Sequence, residues 1–214
     1  MVINKHNVTI KGLNPGMRSN IDVNGINDLL GPGGGSKLVA VNAEAAIKVE
    51  TGMKGVKIMN LMVSGGTEAR NIGIHFVGAT DNGMLSNIIG INLHTGVKIE
   101  QAKNMQIVNC WVCELPNSIE LIGGENIVVK NCQLGAQPTG ITCKVQEVNK
   151  LSFINNQVYP DGRENLVLDA CNNCVIEGNN FKSYYNGILV LNGNDNTVNK
   201  NIFWLTGAVQ NQLL

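Results

Sequence analysis

The sequence predicts an all-β chain wound as a parallel β-helix with coils of roughly 22 residues. Three observations carry this prediction. The first is a repeated short segment. Gly96-Val97-Lys98-Ile99, Ser118-Ile119-Glu120-Leu121, Gly140-Ile141-Thr142-Cys143, Asn165-Leu166-Val167-Leu168 and Gly187-Ile188-Leu189-Val190 share one pattern. Their first apolar residues fall 22, 22, 25 and 22 positions apart, and Gly73-Ile74-His75-Phe76 stands 23 positions earlier. The second is an apolar residue followed at the third place by asparagine: Val128/Asn131, Phe153/Asn156, Ile176/Asn179 and Val198/Asn201. The third is composition: Asn is about 15% of the chain and Val plus Ile about 20%, with 25 glycines. β-Branched residues suit pleated strands, and Asn and Gly suit tight turns.

Each element follows from this repeat. In each short strand side chains alternate, so Ile119 and Leu121 point inward and Glu120 outward. Each strand pairs with its equivalent one coil away. Asparagine tolerates the left-handed backbone of a sharp turn, and its amide can pair with the same amide in the next coil. A leucine-rich-repeat solenoid has a similar period but requires an LxxLxL repeat, which does not occur. The first part of the chain is less regular. Strands are expected at 7–13 and 39–41, with a long side loop over 14–36 holding Gly31-Pro32-Gly33-Gly34-Gly35. That glycine run lacks the Gly-Lys-Ser/Thr of a phosphate cradle and reads as a flexible crossover. Residues 1–214 are expected to form a single domain.

Charge narrows the function. Sixteen Lys and Arg balance sixteen Asp and Glu, and charged residues are 15% of the chain. The basic footprint of a nucleic-acid binder is missing, so neither nucleic acid nor an acidic membrane surface is expected as partner. No apolar run approaches the roughly 18 residues of a membrane span. The N-terminus reads as a strand rather than a signal peptide, as if cut from a longer chain.

Function on a filled β-helix must come from outward residues. Two CxxC pairs, Cys110/Cys113 and Cys171/Cys174, invite a zinc reading, but each is expected to span a turn, and the pairs lie nearly three coils apart. Buried free thiols are the preferred reading for all six cysteines, with Cys110 in the asparagine ladder column. The histidines are scattered, with no His-x-His or HExxH, so neither a metal nor another cofactor is expected. Glu120 stands mid-strand, with expected column neighbours Lys98, Thr142, Val167 and Leu189. Glu114 lies at a turn beside Pro116. Asp161 and Arg163 form a polar corner with Tyr159, and Asp169 closes a later strand. Tyr184, Tyr185 and Trp111 could stack on sugar rings. The paired aspartates and Gly-His-Gly of polygalacturonases are absent, as is the acidic cluster of calcium-dependent pectate lyases.

Several stretches, in order, resemble the inulin fructotransferases and the related difructose-anhydride hydrolases. They are Asn117-Ser118-Ile119-Glu120-Leu121-Ile122-Gly123-Gly124, Gly135-Ala136-Gln137-Pro138-Thr139-Gly140-Ile141-Thr142, Tyr159-Pro160-Asp161-Gly162-Arg163, Cys171-Asn172-Asn173-Cys174 and Tyr185-Asn186-Gly187-Ile188-Leu189. Val8-Thr9-Ile10-Lys11-Gly12 and Arg18-Ser19 fit the family's early coils. The resemblance implies a right-handed parallel β-helix, shortened at both ends, assembled as a homotrimer with sites between subunits. It implies a bacterial protein, secreted or cytoplasmic, that acts on fructan termini as a lyase or glycosidase. One acid protonates the departing oxygen and one base activates the attacking sugar hydroxyl. Because that hydroxyl belongs to the same molecule, holding its geometry replaces the water of hydrolysis. The family's catalytic Glu falls on Glu120, and its partner Asp, eleven residues earlier, falls on Asn109. An amide neither donates nor accepts a proton as a carboxyl does. The expectation is therefore a weakened or inactive relative, or one that recruits Glu114 as second carboxylate. Arg163, Asp161, Tyr185 and Trp111 are the candidate substrate contacts. The alternative is a non-catalytic β-helix, either a glycan-binding or a structural module.

Overall fold

A computed structural model describes residues 1–15, 35–65, 71–159 and 162–205. The described residues form seventeen strands in one continuous parallel sheet and contain no helix. The sheet winds into a parallel β-helix with three faces. Face A comprises Ala45–Val49, Ile72–Phe76, 95–100, 117–122, 141–146, Glu164–Asp169 and Asn186–Val190. Face B holds 57–59, 84–86, 105–108, 127–130, 151–154, Val175–Glu177 and Thr197–Asn199. Face C begins at Lys37–Val39 and ends at Ile202–Leu205.

Left-handed corners turn the chain between faces. Between B and C stand, one coil after another, Asn60, Asn87, Asn109, Asn131, Asn155, Gly178 and Lys200, all with φ between 53° and 69°. Before face B, a second column runs Gly55, Asn82, Asn104, Asn126, Lys150, Asn173 and Asp195, again with φ of 53° to 66°. Asparagine dominates because its short amide tolerates this backbone better than other side chains do. That accounts for much of the asparagine excess.

Inside, apolar side chains stack coil on coil in one continuous cluster from Ile3 to Phe181. Phe153, Phe181 and Phe203 stack with ring centroids 6.2 and 5.3 Å apart. An inward ladder of amides joins them. Asn156 and Asn179 each donate Nδ2–H and backbone N–H to the next asparagine's Oδ1, at 2.8–3.0 Å. A second apolar cluster lies outside face C: Met62, Ile89, Ile91, Trp111 and Cys113, with Tyr159 against it.

Four expectations shift. The early strands are Thr9–Lys11 and Lys37–Val39; Val41 is exposed in a bend. The ends of the expected side loop meet, Ser36 N–H donating to Asn14 O at 2.8 Å, while 16–34 lie outside the described residues. The repeat slips by two at one coil: Ile119 pairs with Cys143, not Ile141, so the intervals are 24 and 23 rather than 22 and 25. The cause is an irregularity between Ala136 and Ile141. A Cβ on Gly140 would stand 1.8 Å from Pro116 O, so glycine is needed where the chain passes its neighbour this closely. The partner of Phe153 is Val129, so the ladder position there is Cys132, whereas Asn131 is an exposed corner. Finally, Cys110 and Cys113 do not span a turn. Both follow the Asn109 corner, Cys110 in the core and Cys113 in the outer cluster.

Asn179→Ala leaves Phe153 O and Asn156 N–H without their buried partners. At about 1–3 kcal/mol for each stranded group, it should cost about 2–4 kcal/mol in urea unfolding. A loss well under 1 kcal/mol would show that the ladder is not a structural link.

Candidate functional site

Register decides which outward side chains meet. On face A one column reads Lys48, His75, Lys98, Glu120, Lys144, Val167 and Leu189. Glu120 is thus flanked by Lys98 and Lys144 at the strand spacing of about 4.8 Å. Lys144 replaces the expected Thr142, which is buried in the neighbouring column. Glu120 is half-buried, between fully buried Ile119 and Leu121.

Two residues along the same strands, a further carboxylate joins this column. Glu100 Oε1 lies 2.9 Å from Lys98 Nζ, and its Oε2 lies 3.3 Å from His75 Nε2. Glu44 Oε1 reaches His75 Nδ1 at 3.6 Å from the other side. His75 is only 4% exposed. Burial opposes ionisation of Glu100, but the Lys98 hydrogen bond and charge, aided by His75, hold its carboxyl below the usual range. Lys98 is held above the usual lysine value, chiefly by its hydrogen bond to Glu100 and further by the charges of Glu100, Glu120 and Glu44. The result is a mixed-charge strip in which the Glu100, Lys98 and His75 side chains fix one another beside Glu120. Such a strip offers donors and acceptors to a hydroxyl-rich ligand, and carboxylates able to take part in proton transfer.

The other candidates divide between two places. Arg163 and Tyr185 are successive members of one column at the corner entering face A, which also carries His94, Pro116 and Gly140. The Arg163 side chain is 70% exposed, its Nε 3.3 Å from Glu164 Oε1, and Tyr185 is 66% exposed. Glu114 lies at the same corner with φ of 64°. Asn109 and Trp111 lie elsewhere. Asn109 is an exposed residue of the B–C corner, its N–H donating to Lys130 O at 3.1 Å, and the face C strand intervenes before Glu120. Trp111 is 8% exposed, packed in the outer apolar cluster. Asp161 lies outside the described residues.

Sequence reasoning missed His75, Lys98 and Glu100 as a group. The signal was available: the rows containing His75, Lys98 and Glu120 are aligned repeats, so their third residues share a column.

Residues 111–209 match the family model described as periplasmic copper-binding protein (NosD). No curated protein matches the sequence. Among solved structures, DFA-IIIase from Arthrobacter chlorophenolicus A6 in complex with GF2 is similar with a TM-score of 0.82 at 23% identity, over 94% of this chain and 54% of that one. A mutant of that enzyme in complex with DFA-III gives 0.79 at 22% identity, over 94% and 53%. A tailspike protein from Acinetobacter baumannii bacteriophage Fri1, a capsular polysaccharide depolymerase, gives 0.52 at 13% identity, over 97% and 55%. The chain spans about half the length of these structures, and the likeness is one of fold.

Copper would require soft ligands converging on one point. All six thiols are buried, and the described residues contain no group of three His, Cys, Asp or Glu able to hold an ion. Among the described residues none are arranged to fit a copper site.

The Glu100–Lys98 pair supports folding between the ordinary carboxylate and lysine values. Its contribution is lost as pH falls through the lowered Glu100 pKa, and as pH rises through the raised Lys98 pKa. Because the pair is partly exposed, Glu100→Gln should cost less than about 1 kcal/mol at neutral pH. The urea midpoints of variant and wild type should converge well below pH 4.5. A constant difference at all pH values would contradict this account.

Proposed function

We propose that the chain is a carbohydrate-active β-helix that holds a fructan terminus against face A, with Glu120 as the catalytic carboxylate. The reaction is intramolecular fructosyl transfer giving a difructose dianhydride, or hydrolysis of that product. The observation that carries this reading is Glu120 in a charged column, beside a second carboxylate fixed by Lys98 and His75. Two further observations support it: the family resemblance runs over nearly the whole chain and sets the family's catalytic Glu on Glu120, and similar solved structures are of a DFA-IIIase with GF2 or DFA-III.

In this reading Glu120 exchanges a proton with a sugar hydroxyl or with the departing oxygen. The mixed-charge strip fixes the sugar, so that its own hydroxyl rather than water attacks. Arg163 and Tyr185, exposed at the corner, would contact the remainder of the substrate. Asn109 cannot supply the partner carboxyl, which weakens the chemistry. Glu114 beside face A and Glu100 on it are the carboxylates that could take its place. A homotrimer, with another subunit closing each site, completes the proposal and is checked by mass in solution.

A second reading, a non-catalytic glycan-binding module, has its own support. Asn109 is one of five asparagines in a seven-residue corner column, so backbone geometry alone accounts for it.

The two readings separate on product analysis with inulin, GF2 and DFA-III. Glu120→Gln should lower turnover at least about 10²-fold, and unchanged turnover would reject the assignment. Asn109 and Glu120 stand on different faces of one chain, so the proposed homotrimer must bring one protomer's B–C corner to its partner's face A. In that assembly Asn109→Asp should fold normally, since Asp accepts a left-handed corner, and should raise turnover by about 10²–10⁴-fold. No gain in that variant would reject Asn109 as the defect. No product from any of the three sugars, with the glycan retained on the protein, would favour the binding module.

A further inference from the structure

One inward column changes chemistry partway along the helix. Just beyond the B–C corner the coils carry Cys110, Cys132, Asn156, Asn179 and Asn201 in register. The asparagine half is a ladder of amides, each bonded to the next. Its last rung is Cys132 N–H donating to Asn156 Oδ1 at 2.9 Å. Beyond that point the side chains are thiols, which are weaker donors than amides. Cys110 Sγ donates to Val108 O at 3.4 Å, and Cys132 Sγ faces two acceptors, Lys130 O at 3.3 Å and Ile107 O of the preceding coil at 3.6 Å. Both residues are 1% exposed.

Residues in register on adjacent parallel strands have Cα atoms about 4.8 Å apart. That lies inside the disulfide range of about 4.4–6.8 Å. We propose that Cys110 and Cys132 are a disulfide-forming pair, a covalent rung that extends the amide ladder, closed by exchange with a small disulfide of the glutathione class. The proposal does not depend on the carbohydrate reading.

The register, rather than the CxxC spacing, selects the partner. Cys113, three residues from Cys110, lies in the outer cluster with its Sγ 3.5 Å from Gln133 O. Cys143 sits in the core column between Ile119 and Leu166. The contact with Cys110 holds the Cys132 thiol below its ordinary value, whereas the same contact and burial push Cys110 above it. Unfolding frees both thiols from this contact, so either can attack first, for instance Cys132. Its thiolate attacks one sulfur of the reagent, forming a mixed disulfide and releasing one reagent thiol. The Cys110 thiolate then attacks the Cys132 sulfur and expels the second reagent thiol. The protein loses two hydrogens, and the reagent disulfide is reduced to two thiols.

The test refolds the whole chain from urea in a glutathione redox buffer, which gives buried thiols access to exchange. Free thiols are then alkylated, and peptides are mapped by mass. The expected result is a majority species with Cys110 linked to Cys132 and the other four cysteines alkylated. Its urea midpoint should lie above that of the reduced protein. Cys113→Ser should leave the link intact and Cys132→Ser should remove it. Six alkylated cysteines in refolded wild type, or a link joining Cys110 to Cys113 or Cys171 to Cys174 in its place, would overturn the proposal.

Discussion

Every feature of this molecule depends on the hydrogen-bond ladder that runs along the axis between successive coils. All pairings are parallel, so each strand is held only by the strands one coil before and one coil after. A parallel ladder holds in register only if each coil returns the chain to the same height and direction. The left-handed corners meet that requirement. Their backbone carries a steric cost of about 1–2 kcal/mol for most residues, which asparagine and glycine largely avoid. Lys150 and Lys200 accept it where the neighbouring coils already fix the corner.

The same ladder makes the candidate site. No short motif brings Lys48, His75, Lys98, Glu120 and Lys144 together; they come from five coils and meet because of register alone. Charge on a β-helix face is therefore read down columns. Glu120 looks isolated along the chain but has a lysine on either side across it. Glu100 and His75 belong to the same arrangement one and two coils back, and their mutual contacts limit how the strip can rearrange around a ligand.

Much of the fold was legible in the sequence because alternation and period are local signals. Ile119 and Leu121 inward, Glu120 outward and the Asn156–Asn179–Asn201 ladder all follow from them. The errors have physical causes. The slip at Thr142 was even, and an even slip preserves the inward and outward pattern, so nothing in the alternation revealed it. Only the pairing of Cys143 with Ile119 shows that Glu120 faces Lys144. The slip at Asn131 was odd. It arose because a cysteine holds the ladder position there while the adjacent corner is an asparagine. The site was less legible than the fold. Arg163 and Tyr185 do share a corner column, but Asn109 and Trp111 lie on the far side of face C from Glu120's face. Spacing along a chain does not report the face on which a residue emerges.

The proposed function stands on one placement, a fructan terminus resting on the charged column around Glu120. The most direct measurement is a crystal structure of the assembled protein with a short fructan such as GF2 bound. The account predicts a fructosyl unit against face A, with hydroxyls in hydrogen-bond contact with Glu120 and with Lys98 or Lys144. Sugar bound over face C or at the B–C corner, with the Glu120 column left bare, would contradict it.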